Sequence, residues 1–295
     1  MRKDFIMIQF VVDSACDLPK EMAQEYGIEV LPLPIQVDGK EYHETIDFTN
    51  EEFYDMLKHA QAMPTHAQIT ALQYCQKLKE YEQKGADEVI IITINSSGSG
   101  IYDAAQLGKQ MFYEENGHTQ EDFPVYIVDS KAYTMAYGYP IVEAARMVQK
   151  GASAKQAVEY LEDYFSCVEI YFAPYTLEYV KKSGRVSCAA AFVGEVLGLR
   201  PIISIIDGET KIVTKVRGDK NIIPKMMEIA KQRKQGETPY FLVHGDVPIY
   251  GEQLSKLAEK EFGYGPVGDY SIGAAISINA GPTVVGIIVR GQKRR

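Results

Sequence analysis

Residues 89–102 read VIIITINSSGSGIY, and this stretch predicts the fold of the first half of the chain. The run at 89–94 has the length and apolar character of a strand that is buried on both faces. A loop of serines and glycines follows at 95–100, and the pattern from about 102 to 113 is that of a helix. A strand, a loop and a helix in this order form the repeating unit of a parallel α/β sheet.

The same unit recurs on either side of this stretch. Further strands are predicted at 5–12, 28–37 and 125–128, and helices at 19–26, 50–60, 71–85 and 132–149. The best-marked helix start is Thr49 with Glu52, the pattern of a capping box. The sequence therefore predicts an α/β fold whose N-terminal domain, residues 1–151, is a Rossmann-like, doubly wound and mostly parallel sheet with helices on both faces.

The second half has a different pattern. Two β-like runs at 202–206 and 211–216 flank Asp207-Gly208, which is a strong hairpin signal. Further strands are predicted at 240–243, 270–278 and 284–289, with helices at 220–234 and 250–262. We expect residues 152–295 to form a C-terminal α+β domain with a mixed or antiparallel sheet.

Composition narrows the class of protein. The chain has 295 residues, of which 46% are hydrophobic and 24% charged, and its formal net charge is -9. Binding to phosphate backbones needs a basic face, and the overall acidity argues against one, so we expect no nucleic-acid partner. The four cysteines form no CxxC pair, and Gln9 and Asp13 interrupt the apolar run near the start. We therefore expect no metal or other cofactor, no signal peptide and no membrane-spanning segment, but a cytoplasmic protein with reduced thiols.

The loop at 95–100, NSSGSG, is the best candidate for ligand binding. It follows a predicted buried strand and precedes a helix, and its glycines allow backbone N–H groups to approach an anion. Ser96 and Ser97 add hydroxyl donors without a full charge. The alternative is a turn that only caps the next helix. The third glycine of a dinucleotide loop, a Walker lysine, a GxSxG elbow and a HExxH helix are all missing from the sequence.

Three other polar residues near the predicted sheet edge leave alternatives open. His66 could act as a base or donate a hydrogen bond to a ligand, or it could be a structural group. Asp13 and Asp17 could pair for acid–base work or for metal binding, but turn and helix-cap roles are simpler.

The segment that follows residue 183 also has two interpretations. Gly184 can end a helix, with Arg185 pairing locally. The apolar residues 188–199 form either a buried core helix or one wall of a tunnel for an acyl chain.

Taken in order, these motifs resemble those of the DegV family of bacterial lipid-binding proteins along nearly the whole chain. The matching segments are VDSACDLP at 12–19, NSSGSGIY at 95–102, VDSK at 128–131, GRVS at 184–187, RPII at 200–203 with Asp207-Gly208, KVRG at 215–218 and AGP at 280–282. One such motif would carry little weight, whereas the ordered set predicts the two-domain fold of this family.

The resemblance implies that a long-chain fatty acid or similar lipid lies between the two domains and that this chain supplies no catalytic group. The carboxylate would meet the N-terminal Ser/Gly loop, and the acyl chain would enter a tunnel in the C-terminal domain. A separate fatty-acid kinase would convert the presented acid into an acyl phosphate. The predicted ligand-binding residues are Thr65, His66, Ser96, Ser97, Gly98, Ser99, Arg185 and Asn279.

Several of these positions depart from the family's pattern. Its usual Thr-Ser-Gln loop is replaced by HAQ at 66–68, its usual histidine by Asn279, and its usual leucine and threonine by Gly98 and Ile101. His66 and Asn279 could therefore act as an exchanged pair of hydrogen-bonding groups. Two other functions stay open, namely a binding protein for a different small anion and a hydrolase or transferase that uses His66 with Asp13 and a serine.

Overall fold

The computed structural model describes residues 6–186 and 198–294. The strands are β1 (Ile8–Asp13), β2 (Ile28–Leu31), β3 (Pro34–Val37), β4 (Lys40–His43), β5 (Thr65–His66), β6 (Glu88–Thr93), β7 (Val125–Asp129), β8 (Val168–Pro174), β9 (Leu199–Ile206), β10 (Glu209–Arg217), β11 (Phe241–His244), β12 (Asp269–Ser271) and β13 (Val284–Arg290). The helices are α1 (Lys20–Glu25), α2 (Asn50–His59), α3 (Ala71–Gln83), α4 (Ile101–Asn116), α5 (Met135–Gln149), α6 (Ala154–Phe165), α7 (Glu178–Ser183), α8 (Ile222–Arg233), α9 (Pro248–Phe262) and α10 (Ala274–Ala280).

Four parallel strands form the N-terminal sheet in the order β2-β1-β6-β7, which confirms the predicted parallel sheet. The apolar residues of β6 are fully buried, as expected of a strand covered on both faces. The chain runs from β1 outward to β2 and returns to β6 on the other side of β1, so the strand order reverses between β1 and β6. Ligands of open α/β sheets bind beyond the carboxyl ends of the strands at such a reversal.

Helices pack on this sheet at several points. α1 contacts β2, α5 contacts β1, and both α4 and α6 contact β6 and β7. The predicted capping box is present at the start of α2, where Thr49 accepts the Glu52 N–H and the Glu52 carboxylate accepts the Thr49 N–H. α6 follows residue 151 along the chain but lies against the N-terminal sheet.

Six strands form the C-terminal sheet in the order β10-β9-β8-β13-β11-β12, antiparallel except for the β11–β12 pair. The predicted mixed sheet and its hairpin are confirmed. Asp207 (φ 56°) and Gly208 (φ 78°) form the two-residue turn between β9 and β10 with the positive φ angles that tight hairpins require.

One of the two central strands of this sheet, β8, is absent from the sequence predictions although all of its residues are buried. Glu169 interrupts its apolar run and hides the strand pattern. The carboxylate of Glu169 is nevertheless fully buried, because Arg233 donates to it from Nε at 3.0 Å and from Nη2 at 2.5 Å. A buried charge that is paired and hydrogen-bonded in this way is compatible with a core strand.

The predicted strand at 28–37 is wrong in extent. It divides into β2 and β3, because Pro32 and Pro34 lack the N–H groups that would continue one ladder. β2 stays in the parallel sheet, whereas β3 joins a small antiparallel sheet of order β4-β3-β5. This small sheet carries His66 at the end of β5.

The predicted strand at 270–278 is also wrong. Only β12 is extended, and after Gly273 the chain forms α10. The buried residues Ala274, Ala275 and Ile278 recur at helical spacing, which places one face of α10 in the core.

The largest hydrophobic core is continuous between the two main sheets, joining β6 residues such as Ile90 to Val243 and Ile288 of the C-terminal sheet. The helices α8 and α9 cover a second core on the C-terminal sheet. Over residues 6–186 and 198–294, none of the helices is long and apolar enough to cross a membrane.

Candidate ligand cavity between the two sheets

A cavity lies between the carboxyl edge of the N-terminal sheet and the inner face of the C-terminal sheet. It contains about 870 Å³ of space free of protein atoms, part of it open to solvent. The strands β8, β9, β11 and β13 supply an apolar wall, formed by Ile170, Phe172, Ile205, Val243 and Val284. Such a wall binds a hydrocarbon by removing it from water.

Polar groups among the described residues that line this cavity come from both halves of the chain. They are His66, Ser99, Tyr133, Thr134, Arg185, Thr210 and Asn279. An apolar wall with a small set of polar groups can orient an amphiphilic ligand, because the polar groups bind one end and the wall takes the other.

His66 and Asn279 meet at this cavity. His66 ends β5, where pairing with Ile35 of β3 positions it, and Asn279 lies on α10. The Asn279 Nδ2 atom is 3.2 Å from His66 Nε2 and 2.7 Å from the carbonyl oxygen of Ala275. Because Nδ2 donates to that carbonyl, the amide orientation is fixed, and Nε2 of His66 is the acceptor. The proton of a neutral His66 ring therefore lies on Nδ1.

His66 is held in its neutral form. Burial lowers its pKa, and the nearby positive charge of Arg185 lowers it further. No described residue accepts a hydrogen bond from Nδ1, and no described hydroxyl lies within hydrogen-bond distance of this ring. The nucleophile–base pair that a hydrolase or transferase would need at His66 is therefore not formed among the described residues.

Arg185 lies just beyond the end of α7. Gly184 (φ 65°) ends that helix in the left-handed conformation, as the sequence predicts, and the Arg185 N–H donates to the Ser183 hydroxyl. The Arg185 side chain lines the cavity, but no carboxylate among the described residues pairs with it, so the predicted local pairing is not observed. Its charge also lowers the pKa of Tyr133, which burial raises overall. The guanidinium thus acts on both His66 and Tyr133 at one polar end of the cavity.

The Ser/Gly loop contributes differently from the sequence expectation. Gly98 and Ser99 line the cavity, whereas Ser96 and Ser97 are exposed and do not. The Ser96 hydroxyl donates to Asp129 Oδ2 at 2.5 Å, and its N–H donates to Asp129 Oδ1 at 3.1 Å. Ser96 therefore ties the loop to the end of β7, which leaves its hydroxyl proton unavailable to a ligand in this arrangement.

Two residues near the cavity, Thr65 and Asn95, do not line it. Thr65 is exposed and does not line the cavity, because it alternates with His66 along β5. Asn95 is buried, and its Nδ2 atom donates to the carbonyl oxygen of Gly208 at 3.0 Å. The loop is thereby fastened to the β9–β10 turn of the C-terminal sheet.

Asp13 has a structural role at the carboxyl edge of the N-terminal sheet. Its carboxylate accepts the Ile94 N–H at 2.8 Å and the Tyr137 hydroxyl at 2.6 Å, which joins the carboxyl ends of β1 and β6 to α5. Burial raises the pKa of Asp13 to about 6. Asp13 does not line the cavity, so it is a structural acceptor.

Asp17 and Glu44 fasten α10 to the N-terminal half. Asp17 Oδ1 accepts the Gly273 N–H, and Glu44 Oε1 accepts the Ala275 N–H, both at 2.9 Å. Burial raises the pKa of both carboxyl groups. The helix-cap role expected for Asp17 is thus replaced by a long-range contact, and Glu44 was not singled out in the sequence.

Within residues 6–186 and 198–294, histidine, cysteine and acidic side chains form no group of three or more that could hold a metal ion. Cys16, Cys75 and Cys167 are buried free thiols. The proposed tunnel wall at 188–199 lies almost entirely outside the described residues.

Comparison with known proteins places these features in a family context. The family model described as uncharacterised protein, DegV family, matches residues 7–291. A DegV domain-containing protein of Caldanaerobacter subterraneus subsp. tengcongensis is 29% identical over 282 residues, covering 95% of this chain and 97% of that protein.

Solved structures share the whole fold. A DegV lipid-binding protein from Thermotoga maritima superposes with a TM-score of 0.82 at 26% identity, covering 98% of this chain and 100% of that one. A DegV family protein from Thermus thermophilus, described by its fatty acid binding, has a TM-score of 0.83 at 25% identity and covers 97% of this chain and 100% of its own.

Proposed function

Because the chain belongs to the DegV family, we propose that it binds a long-chain fatty acid in the cavity between its two sheets. The observation that carries the proposal is an apolar wall next to a cation, Arg185, that pairs with no carboxylate among the described residues. Arg185 lines a cavity whose other side is built from residues such as Phe172 and Ile205. A hydrocarbon chain ending in a carboxylate matches both parts, since the chain leaves water and the carboxylate gains a guanidinium partner.

The proposed head-group contacts are Arg185, His66 and Ser99. Arg185 supplies charge, the Nδ1–H of His66 and the Ser99 hydroxyl supply neutral donors, and Asn279 holds the His66 ring. This set keeps His66, Ser99, Arg185 and Asn279 from the sequence prediction. Ser96, Ser97 and Thr65 are left out because their side chains do not line the cavity.

The relatives support the same class of ligand. The Thermotoga maritima protein is described as lipid-binding and the Thermus thermophilus protein as fatty-acid-binding, and each is at least 25% identical to this chain. A different small anion would use Arg185 but would leave the apolar wall exposed to water, which favours an amphiphile.

We also propose that the chain presents its ligand and does not itself act as an enzyme. A separate fatty-acid kinase would transfer the terminal phosphoryl group of ATP to the presented carboxylate, giving an acyl phosphate and ADP. The pure chain should form no acyl phosphate from ATP and palmitate. Addition of such a kinase should give product faster with palmitate-loaded chain than with palmitate alone, and equal rates would exclude presentation.

The ligand itself is identified by native mass spectrometry of the chain purified from cells, followed by solvent extraction and mass analysis. We expect a mass increment that matches a fatty acid in the extract. A polar anion in place of a lipid would replace the proposal with a small-anion function.

A further inference from the structure

Tyr133 brings a hydroxyl to the cavity that the head-group proposal above does not use. It lies between β7 and α5, and its half-buried ring lines the cavity beside Ser99. Its hydroxyl oxygen is 2.9 Å from Asn95 Nδ2. The direction of that hydrogen bond decides whether the Tyr133 proton is available to a ligand.

The Asn95 side chain settles the direction. Its Nδ2 atom donates to the Gly208 carbonyl at 3.0 Å, and its Oδ1 atom accepts the Ser97 N–H at 3.2 Å. Both contacts require the same amide orientation, so Nδ2 is the donor toward Tyr133 and the Tyr133 oxygen is the acceptor. The phenolic proton must therefore point elsewhere, and no described residue accepts it.

Three further features suit this hydroxyl to a carboxylate. Burial raises the pKa of Tyr133, so the group keeps its proton at neutral pH. Tyr133, Arg185 and His66 all line this cavity, and the charge of Arg185 lowers the pKa of both Tyr133 and His66. An acceptor that is charged gains more from a phenolic donor than a neutral one does.

Gly98 makes room for this arrangement. A Cβ atom at position 98 would lie 2.2 Å from the Tyr133 hydroxyl oxygen, far inside contact distance. The backbone of Gly98 is not in the left-handed region, so the absence of a side chain is a matter of space and not of backbone conformation. The position of the Tyr133 hydroxyl therefore requires a residue without a side chain at 98.

We propose that the Tyr133 hydroxyl donates a hydrogen bond to the carboxylate head group of the ligand. The absence of a side chain at Gly98 leaves the space that this hydroxyl occupies. This inference rests on the proposed fatty-acid function and adds a specificity-determining residue to it. It also gives Gly98 a role beyond the close approach of backbone N–H groups to an anion that the loop sequence predicts.

The first test compares Tyr133→Phe with wild type for palmitate and for hexadecanol, measured by isothermal titration. Loss of a hydrogen bond to a charged acceptor should weaken palmitate binding roughly 10-fold to 150-fold, and hexadecanol binding by less than about 10-fold. Tyr102→Phe is the matched control, because the Tyr102 hydroxyl bonds to Gln106 away from the cavity. Unchanged palmitate affinity, or equal losses for both ligands, would overturn the role of Tyr133.

The second test is a double-mutant cycle with Gly98→Ala. A methyl group at 98 displaces the Tyr133 hydroxyl, so Gly98→Ala should reproduce much of the Tyr133→Phe loss. In the Tyr133→Phe background the nearest ring atom, Cζ, is 3.3 Å from that methyl group, and Gly98→Ala should add little. Additive losses would overturn the proposed coupling. Wild-type protein that binds no palmitate would instead overturn the fatty-acid function itself.

Discussion

Nδ2 of Asn279 lies 3.2 Å from Nε2 of His66, which joins α10 of the C-terminal half to β5 of the N-terminal half at the polar end of the cavity. The contact fixes the imidazole tautomer, because the same amide nitrogen also donates to the Ala275 carbonyl. His66 therefore offers Nδ1–H to a ligand as a neutral group.

This tautomer makes a prediction about pH. The pKa of His66 is lowered by burial and by Arg185, so the ring is already neutral at pH 7 and gains nothing from further loss of protons. Palmitate affinity should be constant from about pH 7 to 9, and His66→Ala should lower it roughly 10-fold across this range. Wild-type affinity that falls with rising pH, while His66→Ala stays level, would show that an imidazolium holds the ligand.

Arg185 should account for the charge part of binding. Arg185→Gln removes the guanidinium charge from the cavity, so palmitate affinity should fall roughly 10-fold or more and depend less on salt. The pKa of His66 should rise in this variant, because a neighbouring positive charge that lowers it is gone.

Titration calorimetry measures the palmitate affinity of the Arg185→Gln variant, and NMR titration of the imidazole measures its His66 pKa. Arg217→Gln is the matched control, since Arg217 is exposed on β10 and does not line the cavity. Equal losses in the two variants would point to a general effect of net charge.

Alanine substitutions at Ser96 and Ser99 should have different effects, the first on thermal stability and the second on palmitate binding. Ser99→Ala should weaken palmitate binding by roughly 2-fold to 10-fold, because Ser99 lines the cavity and is a proposed donor to the head group. Ser96→Ala should leave affinity unchanged and lower thermal stability, because it removes the donor to Asp129. A Ser96→Ala variant that loses affinity at unchanged stability would return the head-group contact to Ser96.

The buried carboxyl group of Asp17 should lower the free energy of unfolding at neutral pH. Burial and the charge of Glu44 raise its pKa, and its Oδ2 atom has no hydrogen-bond partner among the described residues. The folded state therefore binds a proton more tightly than the unfolded state does. The stabilising effect of protonation is complete below the unfolded pKa and is lost as pH rises through the raised folded value.

Asp17→Asn tests this sign. Asparagine keeps the acceptor for the Gly273 N–H and tolerates the left-handed backbone at this position (φ 53°) without the buried charge. At pH 7 the free energy of unfolding of the variant should exceed that of wild type by about 1–3 kcal/mol. This difference should shrink toward pH 4. Destabilisation at pH 7 would mean that the charged form of Asp17 is needed.

The strand–loop–helix pattern of residues 89–102, which recurs along the first half of the chain, was enough to predict the parallel sheet. Local signals of this kind are strong because each strand carries its own buried apolar run. The split at Pro32 and Pro34 and the strand around Glu169 were missed. The path of β3 is set by a separate sheet, and the charge of Glu169 is compensated by an arginine that is distant in sequence.

The site was only partly predictable for a similar reason. The sequence places Ser99, Arg185, His66 and Asn279 in the binding set, and their contacts agree with a shared cavity. Tyr133 could not be found, because residues 132–149 read as one helix. The helix in fact begins at Met135, after Thr134 adopts a positive φ of 57°. A β-branched residue rarely adopts that conformation, so no local pattern predicts it.

Equilibrium binding of palmitate to a cavity-filled variant tests the central claim most directly. Ile276 lines the cavity and is partly exposed, so Ile276→Trp should fill the space without removing a core side chain. Ile249→Trp is the matched control, because Ile249 is an exposed residue of α9 that does not line the cavity. We expect wild type and Ile249→Trp to bind palmitate alike and Ile276→Trp to bind it at least about 10-fold more weakly. Equal affinity in all three proteins, or no palmitate binding by wild type, would contradict a fatty-acid site between the two sheets.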